Sequence, residues 1–328
     1  MLYTKNYPAL LLLATLLILQ TACQKDEDVL PSIASIAVTN ADFSTLEDAA
    51  VLGGVAAVLS NPNPNDPEGA YTVFAPNNAA FARLGFNSGA DLRVLQPSFL
   101  TSTLLYHVSG GNLLSNRLTN NSTSASALGP MRRIVTRGNE RYINGSKILA
   151  TDIRASNGTV HVIDKVLLAT GADIVQSALA LRDAKVFIVP ELSFLVEAVL
   201  YAELADALTA KPSSPSFTVF APTDAAFKQL GQDLGVPLNV PADIRKLPKD
   251  VVTNVLLNHV IADGGKFMPE MNAGAVTPLG GSPLTIGAFA NGVVSVKGKS
   301  NNTAANVVIP DVLTTNGVVH VIDRVLLP

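Results

Sequence analysis

The chain has 328 residues, of which 48% are hydrophobic and 15% charged, and 23 Lys and Arg against 26 Asp and Glu leave a net charge of -3. That length exceeds one ordinary core at roughly 100–200 residues per domain, and the apolar content excludes wholesale disorder. Basic residues are scattered, aromatics are 5% and Trp is absent, so there is no electrostatic footprint for nucleic acid.

The first element in chain order is a leader. Residues 1–22 place Lys5 ahead of an apolar run from Pro8 to Leu19 and end on the small residues Thr21 and Ala22. The run is shorter than the roughly 20 residues of a membrane span and suits an export signal. Cys23 follows; it is the only cysteine, so no intrachain disulfide can form. The stretch LQTAC resembles the lipobox of bacterial lipoproteins, with Gln20 where that motif usually has an aliphatic residue. QKDED behind it resembles the acidic surface-export signal of some Bacteroidetes lipoproteins. These resemblances imply lipidation at Cys23, a tether over 23–32 and an outer-membrane protein facing outward; an ordinary signal peptide with a charged linker is the other reading.

Apolar residues at three- and four-residue spacing then predict helix over 43–59. A breaker segment follows, in which Asn61, Asn63, Asn65, Asp66 and Glu68 put oxygen-bearing side chains near the spacing of a calcium loop. Pro62, Pro64 and Pro67 impose a different backbone, which favours a proline-rich connecting loop. YTVFA reads as a strand stopping at Pro76, with Asn77-Asn78 as the N-cap of the next helix. A further helix runs up to His107 of LLYHV, with Gly110-Gly111 soon after, and NNSTSASA (120–127) reads as a mobile loop. RYINGSKILATDI alternates short strands, and NGTVHVIDKVLLA (157–169) closes the segment with a turn and an apolar strand.

The same order then recurs. Residues 193–210 predict helix, with Leu195, Val199 and Leu200 on one buried stripe; FTVFAPTDAAFKQLG (217–231) matches YTVFAPNNAAFARLG (71–85). LLNHV (256–260) matches LLYHV (104–108), and NGVVHVIDRVLLP (316–328) matches the ending at 157–169. The offsets of 146, 152 and 159 place the second copy's extra residues in connecting segments. A repeat this long predicts that each copy owns a core, with the joint near Thr170-Gly171. Helices first and strands last in each copy predict an α+β fold rather than a parallel α/β one.

Together the three blocks resemble the fasciclin domain: TVFAP with a following AF, the Tyr-His motif, and NG-x-VHVID-x-VL, each present twice in order. The resemblance implies two tandem domains, 33–169 and 171–328, each a β-wedge or sandwich packed with α-helices. It also implies a role in adhesion or extracellular-matrix binding, with no enzymatic activity and no cofactor. In some animal members an Asp-Ile pair just before the last motif, together with the Tyr-His motif, is implicated in integrin-dependent adhesion. Carried over, the pair falls on Asp152-Ile153 and, conservatively changed behind Pro310, on Asp311-Val312. The Tyr-His motif falls on Tyr106-His107, and on Asn258-His259 with the phenol replaced. Asp152, Ile153, Asp311, Val312, Tyr106, His107 and His259 are therefore the candidate adhesion residues.

Residue chemistry alone offers plainer roles for the same positions. His161 and Asp164, like His320 and Asp323, lie three apart in a predicted strand and point to opposite faces, so they cannot converge on a metal. His161 and His320 are expected to be structural, buried and bonded to backbone. His107 and His259 sit at predicted helix C-termini, where imidazole can satisfy orphan carbonyls, and Asp152 and Asp311 also read as turn or capping residues. No G-x-S-x-G, HExxH, P-loop or dinucleotide-binding pattern occurs, so no catalytic residue and no metal ligand is assigned. The expected partners are the membrane, through the lipid anchor, and an unidentified surface protein or polysaccharide. The alternative is a periplasmic or envelope structural or glycan-binding accessory.

Overall fold

A computed structural model describes residues 30–183, 192–210 and 215–328. The export signal, Cys23 and nearly all of the tether lie outside these residues. The first copy opens with α1 (Ile33–Thr39), α2 (Ser44–Leu52) and α3 (Ala56–Ser60). The single helix predicted over 43–59 is thus broken, because Gly54 turns at φ +69 and the Val55 N–H reaches back to the Ala50 carbonyl. Next come β1 (Tyr71–Pro76), α4 (Asn78–Ala82) and α5 (Pro97–Tyr106). The Asn77 side chain caps α4 by accepting from the Ala80 N–H, while Asn78 accepts from the Thr45 N–H at the start of α2.

Seven strands complete the first copy: β2 (Val108–Gly110), β3 (Thr123–Ala125), β4 (Met131–Arg137), β5 (Glu140–Ile143), β6 (Ser146–Ala155), β7 (Gly158–Ile163) and β8 (Leu168–Ala169). The sheet order is β2-β1-β7-β6-β5-β4-β3, with β1 and β7 parallel. The stretch 120–127, expected as a mobile loop, contains β3. Fully buried Arg132 accounts for this, because its Nη2 donates to the Ser124 hydroxyl and the Ala125 carbonyl, both at 2.9 Å. In the proline-rich loop, Asn63 and Asp66 spend their oxygens on their own backbone, accepting from the N–H groups of Asn65, Glu68 and Ala70.

The second copy repeats the plan with α6 (Ile174–Asp183), α7 (Ser193–Tyr201), α8 (Ala205–Leu208), β9 (Phe217–Pro222), α9 (Asp224–Leu234) and α10 (Lys249–Leu257). The predicted helix over 193–210 is also two helices, parted where Glu203 takes φ +57. Leu200 is 49% exposed, so the buried face of α7 is Phe194, Leu195, Val196 and Ala198 rather than a stripe through Leu200. Then follow β10 (Val260–Ile261), β11 (Gly274–Val276), β12 (Leu284–Ile286), β13 (Val296–Lys297), β14 (Val307–Thr314) and β15 (Gly317–Ile322). Again the first-motif and last-motif strands, β9 and β15, pair in parallel. In each copy one face of this pair packs on the helices, and the other covers a second cluster: Phe74, Ile134, Ile143 and Ile163 in the first, Phe220, Leu284, Val296 and Ile322 in the second.

The repeated Asn-Gly of the closing motif does two separate jobs. Buried Asn157 accepts from the Ile33 N–H and donates to the carbonyls of Leu59 and Asn61, all at 2.9 Å, which fastens α1 and the end of α3 to the sheet. Asn316 does the same, accepting from the Ile174 N–H and donating to the Leu208 carbonyl. The glycine lets the parallel strands meet: a Cβ on Gly158 would stand 1.9 Å from the Tyr71 carbonyl oxygen, and one on Gly317 2.2 Å from that of Phe217.

The copies are also joined through backbone. β8 leaves the first copy and becomes the edge strand of the second, parallel to β14, with Leu168 beside Val312 and Ala169 beside Leu313. The Thr170 N–H continues the ladder to the Leu313 carbonyl at 3.1 Å. Gly317→Ala is expected to force β9 and β15 apart and cost about 1–3 kcal/mol of stability, the usual range for overpacking. Urea denaturation against the parent measures this, and an unchanged midpoint would count against the close approach.

Candidate functional site

The carried-over aspartates sit at the same irregularity in both copies. β6 and β14 each shift register against their partner just before the closing turn, and Asp152 and Asp311 occupy the bulge at φ +60 and +66. Aspartate tolerates this left-handed conformation better than most residues. The Asp152 N–H donates to His161 Nδ1 at 3.3 Å, and the Asp311 N–H to His320 Nδ1 at 3.0 Å. An Nδ1 that accepts must carry its proton on Nε2, which donates to the carbonyl of Leu113 at 2.7 Å and of Lys266 at 2.9 Å. The circuit closes through the carboxylates, which accept from the N–H groups of Ser115 at 2.8 Å and Met268 at 2.7 Å. Burial pushes both imidazoles below their ordinary pKa. The Ser115 hydroxyl, bonded to the carboxylate, holds Asp152 below the usual carboxylate value.

The Tyr-His motif makes a second pair of clamps. His107 Nδ1 donates to the Thr103 carbonyl inside α5 at 2.7 Å, and its Nε2 accepts from the Leu167 N–H at 2.9 Å. His259 repeats this between the Val255 carbonyl, at 2.7 Å, and the Leu326 N–H, at 2.8 Å. Burial lowers both rings to about 4. The Tyr106 hydroxyl is bonded to the Asn144 amide, and burial raises its pKa. At its counterpart, the buried Asn258 amide has no hydrogen-bond partner among the described residues. Arg132 lies beside Tyr106 and makes no salt bridge among the described residues: Nη1 donates to the Tyr106 carbonyl, the guanidinium carbon stands 4.9 Å from the Phe74 ring centre, and burial lowers its pKa to about 10. Among the described residues no group of three or more His, Cys, Asp or Glu side chains gathers as a metal would require.

Exposure separates the candidates. Tyr106, His107, His259, Asp311 and Val312 are all buried and offer nothing to an outside partner, because their polar groups close the domain onto itself. His161 and His320 are likewise fully buried. Asp152 and Ile153 are half-buried, between exposed Thr151 and Arg154. The two aspartates differ because the first copy covers the second copy's bulge. Lys165 Nζ reaches Asp311 Oδ2 at 2.9 Å, with side chains only 8% and 4% exposed, and also donates to the Gly292 carbonyl. The Asn144-Gly145 turn presses on the same carboxylate, so closely that a Cβ on Gly145 would meet Asp311 Oδ2 at 2.1 Å. Arg133 bonds Glu270 and the Gly265 carbonyl, and Arg137 bonds the carbonyls of Pro269 and Met271, across the same joint.

Sequence reasoning passed over Lys165, Arg132 and the Asn157-Asn316 pair. A signal existed for the first: the variable position of VHVID-x-VL is basic in both copies, as Lys165 and Arg324. Nothing marked Arg132, since its buried position depends on strands distant in sequence.

Comparison with known proteins settles the family. The fasciclin domain matches residues 41–169 and again 190–328. The chain belongs to the fasciclin-domain family. It is similar to periostin from Homo sapiens, 28% identical over 275 residues that cover 80% of this chain and 29% of that one. It is also similar to uncharacterized protein sll1735 from Synechocystis, 36% identical over 140 residues, 42% of this chain and 98% of that one. This fasciclin pair thus spans under a third of periostin's length. A solved FAS1 domain pair from the insect cell adhesion molecule fasciclin I aligns with 90% of this chain and 96% of that chain, at 18% identity and a TM-score of 0.37. The α+β fold itself rests on the family match and the repeated topology.

The four clamping histidines make fasciclin stability depend on pH. His107 and His259 fall to about 4 in the folded chain and return to about 6.5 on unfolding, so the unfolded state binds more protons between those values. Their contribution is complete above about 6.5 and is lost as pH falls toward about 4, on the order of 3 kcal/mol apiece. Denaturant titrations at pH 7 and pH 4.5 measure this; equal stability at both would refute it. At the joint, Lys165→Met is expected to cost about 3–5 kcal/mol by stranding the enclosed Asp311, and adding Asp311→Asn to recover part of the loss. A double-mutant cycle showing no coupling would remove the pair from the joint's energetics.

Proposed function

We propose that this chain is an exported, lipid-anchored fasciclin protein that acts in adhesion or extracellular binding at the cell surface. The observation that carries the reading is the asymmetry of the two bulges. The edge around Asp152-Ile153 is open, whereas its counterpart at Asp311-Val312 is sealed by the first copy. A surface kept available by the fold, at the position where animal fasciclin domains are implicated in adhesion, is the natural place for a partner.

Anchoring rests on Cys23 and its flanking LQTAC and QKDED stretches. A lipid-modified cysteine would hold the chain at the outer membrane, and several acyl chains hold far more firmly than one. Among the described residues no helix is long and apolar enough to cross a membrane. The proposed partners are therefore the membrane, through the lipid, and a surface protein or polysaccharide, through the first copy.

Protease treatment of intact cells is expected to remove both fasciclin copies, and Cys23→Ser to release the chain from the membrane fraction. Full protection from protease would favour an envelope accessory facing the periplasm. Cells displaying Arg154→Glu are expected to attach less firmly to a surface coated with extracellular protein and polysaccharide; undiminished attachment would remove this edge from the contact.

A further inference from the structure

The joint between the copies shows what such an edge accepts. In the second copy the outer side of β14 takes an extended segment from the end of the first, Leu168-Ala169, flanked by Lys165 on Asp311 and by the Thr170 N–H on the Leu313 carbonyl. The repeat carries every one of these positions onto the other copy at the constant offset of 159. Asp152 corresponds to Asp311, Ile153 to Val312, Arg154 to Leu313, Lys165 to Arg324, and Leu168 to Leu327. In the first copy, residues 150–155 of β6 pair with β7 on one side only. Its acid is in place, its backbone edge is open, and nothing among the described strands covers it. At the other end of the molecule, Arg324 supplies the matching base, and its buried Nε has no hydrogen-bond partner among the described residues.

The end of the second copy differs from that of the first in one respect. The loop 298–301, from a region where the second copy is longer, lies against it. Asn301 Oδ1 accepts the Leu327 N–H at 2.9 Å, Ser300 N–H donates to the Leu327 carbonyl at 3.3 Å, and the Ser300 hydroxyl bonds the Pro328 carbonyl. By the register of β8 on β14, these are the same two backbone groups that Leu168 directs at the neighbouring sheet. The fit is close: a Cβ on Gly298 would stand 2.4 Å from the Leu327 carbonyl oxygen. Asn301 and Ser300 thus stand in for the strand that the first copy's ending finds in the second.

We infer that the 150–155 edge of the first copy is a docking site for residues 324–328 of a second copy of this chain, and that loop 298–301 is an internal plug that withholds that ending. Opening the plug would let chains add head to tail, each repeating the joint already present inside the molecule. A contact of this kind joins two different surfaces and does not close on itself, so it yields growing chains rather than a symmetric dimer. The plug is the fold's control on that growth, as capping units are in repeat proteins. Arg154 replaces Leu313, which packs against the first copy, so the contact between chains is weaker than the internal one. The inference deepens the reading of the Asp152-Ile153 edge as a docking surface by naming its partner. It is tested in solution, so its failure leaves attachment through the same edge to another partner intact.

The test is sedimentation velocity over a concentration series, on the unit from Pro31 to Pro328, which forms one compact body. The parent is expected to remain largely monomeric. Asn301→Ala and, independently, Gly298→Ala are expected to release the ending and give species that lengthen with concentration. Adding Arg154→Pro, which removes an edge N–H, or Arg324→Glu should return either plug variant to monomer. Mixing the two doubly substituted chains should give a capped one-to-one dimer, because one keeps a working edge and the other a working ending. Folded plug variants that stay monomeric, a parent that assembles as readily as they do, or assembly insensitive to Arg154→Pro and Arg324→Glu would each overturn the inference. Should one plug variant fail to fold, the other carries the same comparison.

Discussion

A neutral imidazole, bonded through both nitrogens to backbone, holds each fasciclin copy closed. His161 and His320 each accept the N–H of a bulged aspartate and donate to a carbonyl in the loop that follows β2 or β10. That loop is tied a second time, because the N–H groups of Leu113 and Lys266 donate to Thr72 and Thr218 on the first-motif strand. The bulge, the loop and the parallel strand pair thus depend on one ring in one protonation state. No other uncharged side chain has a nitrogen donor and a nitrogen acceptor at opposite sides of a rigid ring, which explains why a histidine stands in an otherwise apolar strand. Its neighbours are chosen to match: Phe74 stacks on His161 with centroids 5.2 Å apart, and Phe220 lies 5.8 Å from His320.

Duplication turns that common frame into two unequal surfaces. The same bulge is sealed in the second copy and open in the first, because the first copy's ending, its Asn144-Gly145 turn and the Lys165 side chain reach across the joint. An enclosed carboxylate needs its opposite charge and its hydrogen bonds together, and Asp311 has both, the charge from Lys165 and a further hydrogen bond from the Met268 N–H. Asp152 has a hydroxyl and an N–H from Ser115 instead, and among the described residues its charge meets no lysine and its edge no strand. Exposure of this bulge is therefore a property of position in the tandem as much as of motif.

The helices show where local pattern misleads. Residues 43–59 and 193–210 have helical periodicity throughout, yet both break, at Gly54 and Glu203, because the chain must turn to lay two short helices over a small sheet. Likewise NNSTSASA has the composition of a loop but contributes a strand, since its serine hydroxyl and carbonyl satisfy an arginine buried from elsewhere. Tyr106 and Asn258 occupy matching positions, and among the described residues only the tyrosine side chain has found a hydrogen-bond partner, in Asn144 of a distant turn. Each of these outcomes depends on a neighbour far away in sequence, which periodicity and propensity do not register.

By itself the sequence determined that there are two copies of one α+β domain, the motifs that bound each, the short strands that stop at Pro76 and Pro222, and the Asn-Gly turns that close each copy. These follow from spacing, turn chemistry and self-similarity, which are local or repeated in the chain. Only the tertiary structure decided that the four histidines are backbone clamps, that Arg132 is buried among carbonyls and hydroxyls, and that Lys165 neutralises Asp311 from the neighbouring copy. It also decided that Asp152 faces outward while its twin does not. The physical reason is that burial and pairing are set by what lies across the fold, and two identical motifs acquire different environments as soon as one is packed against the other.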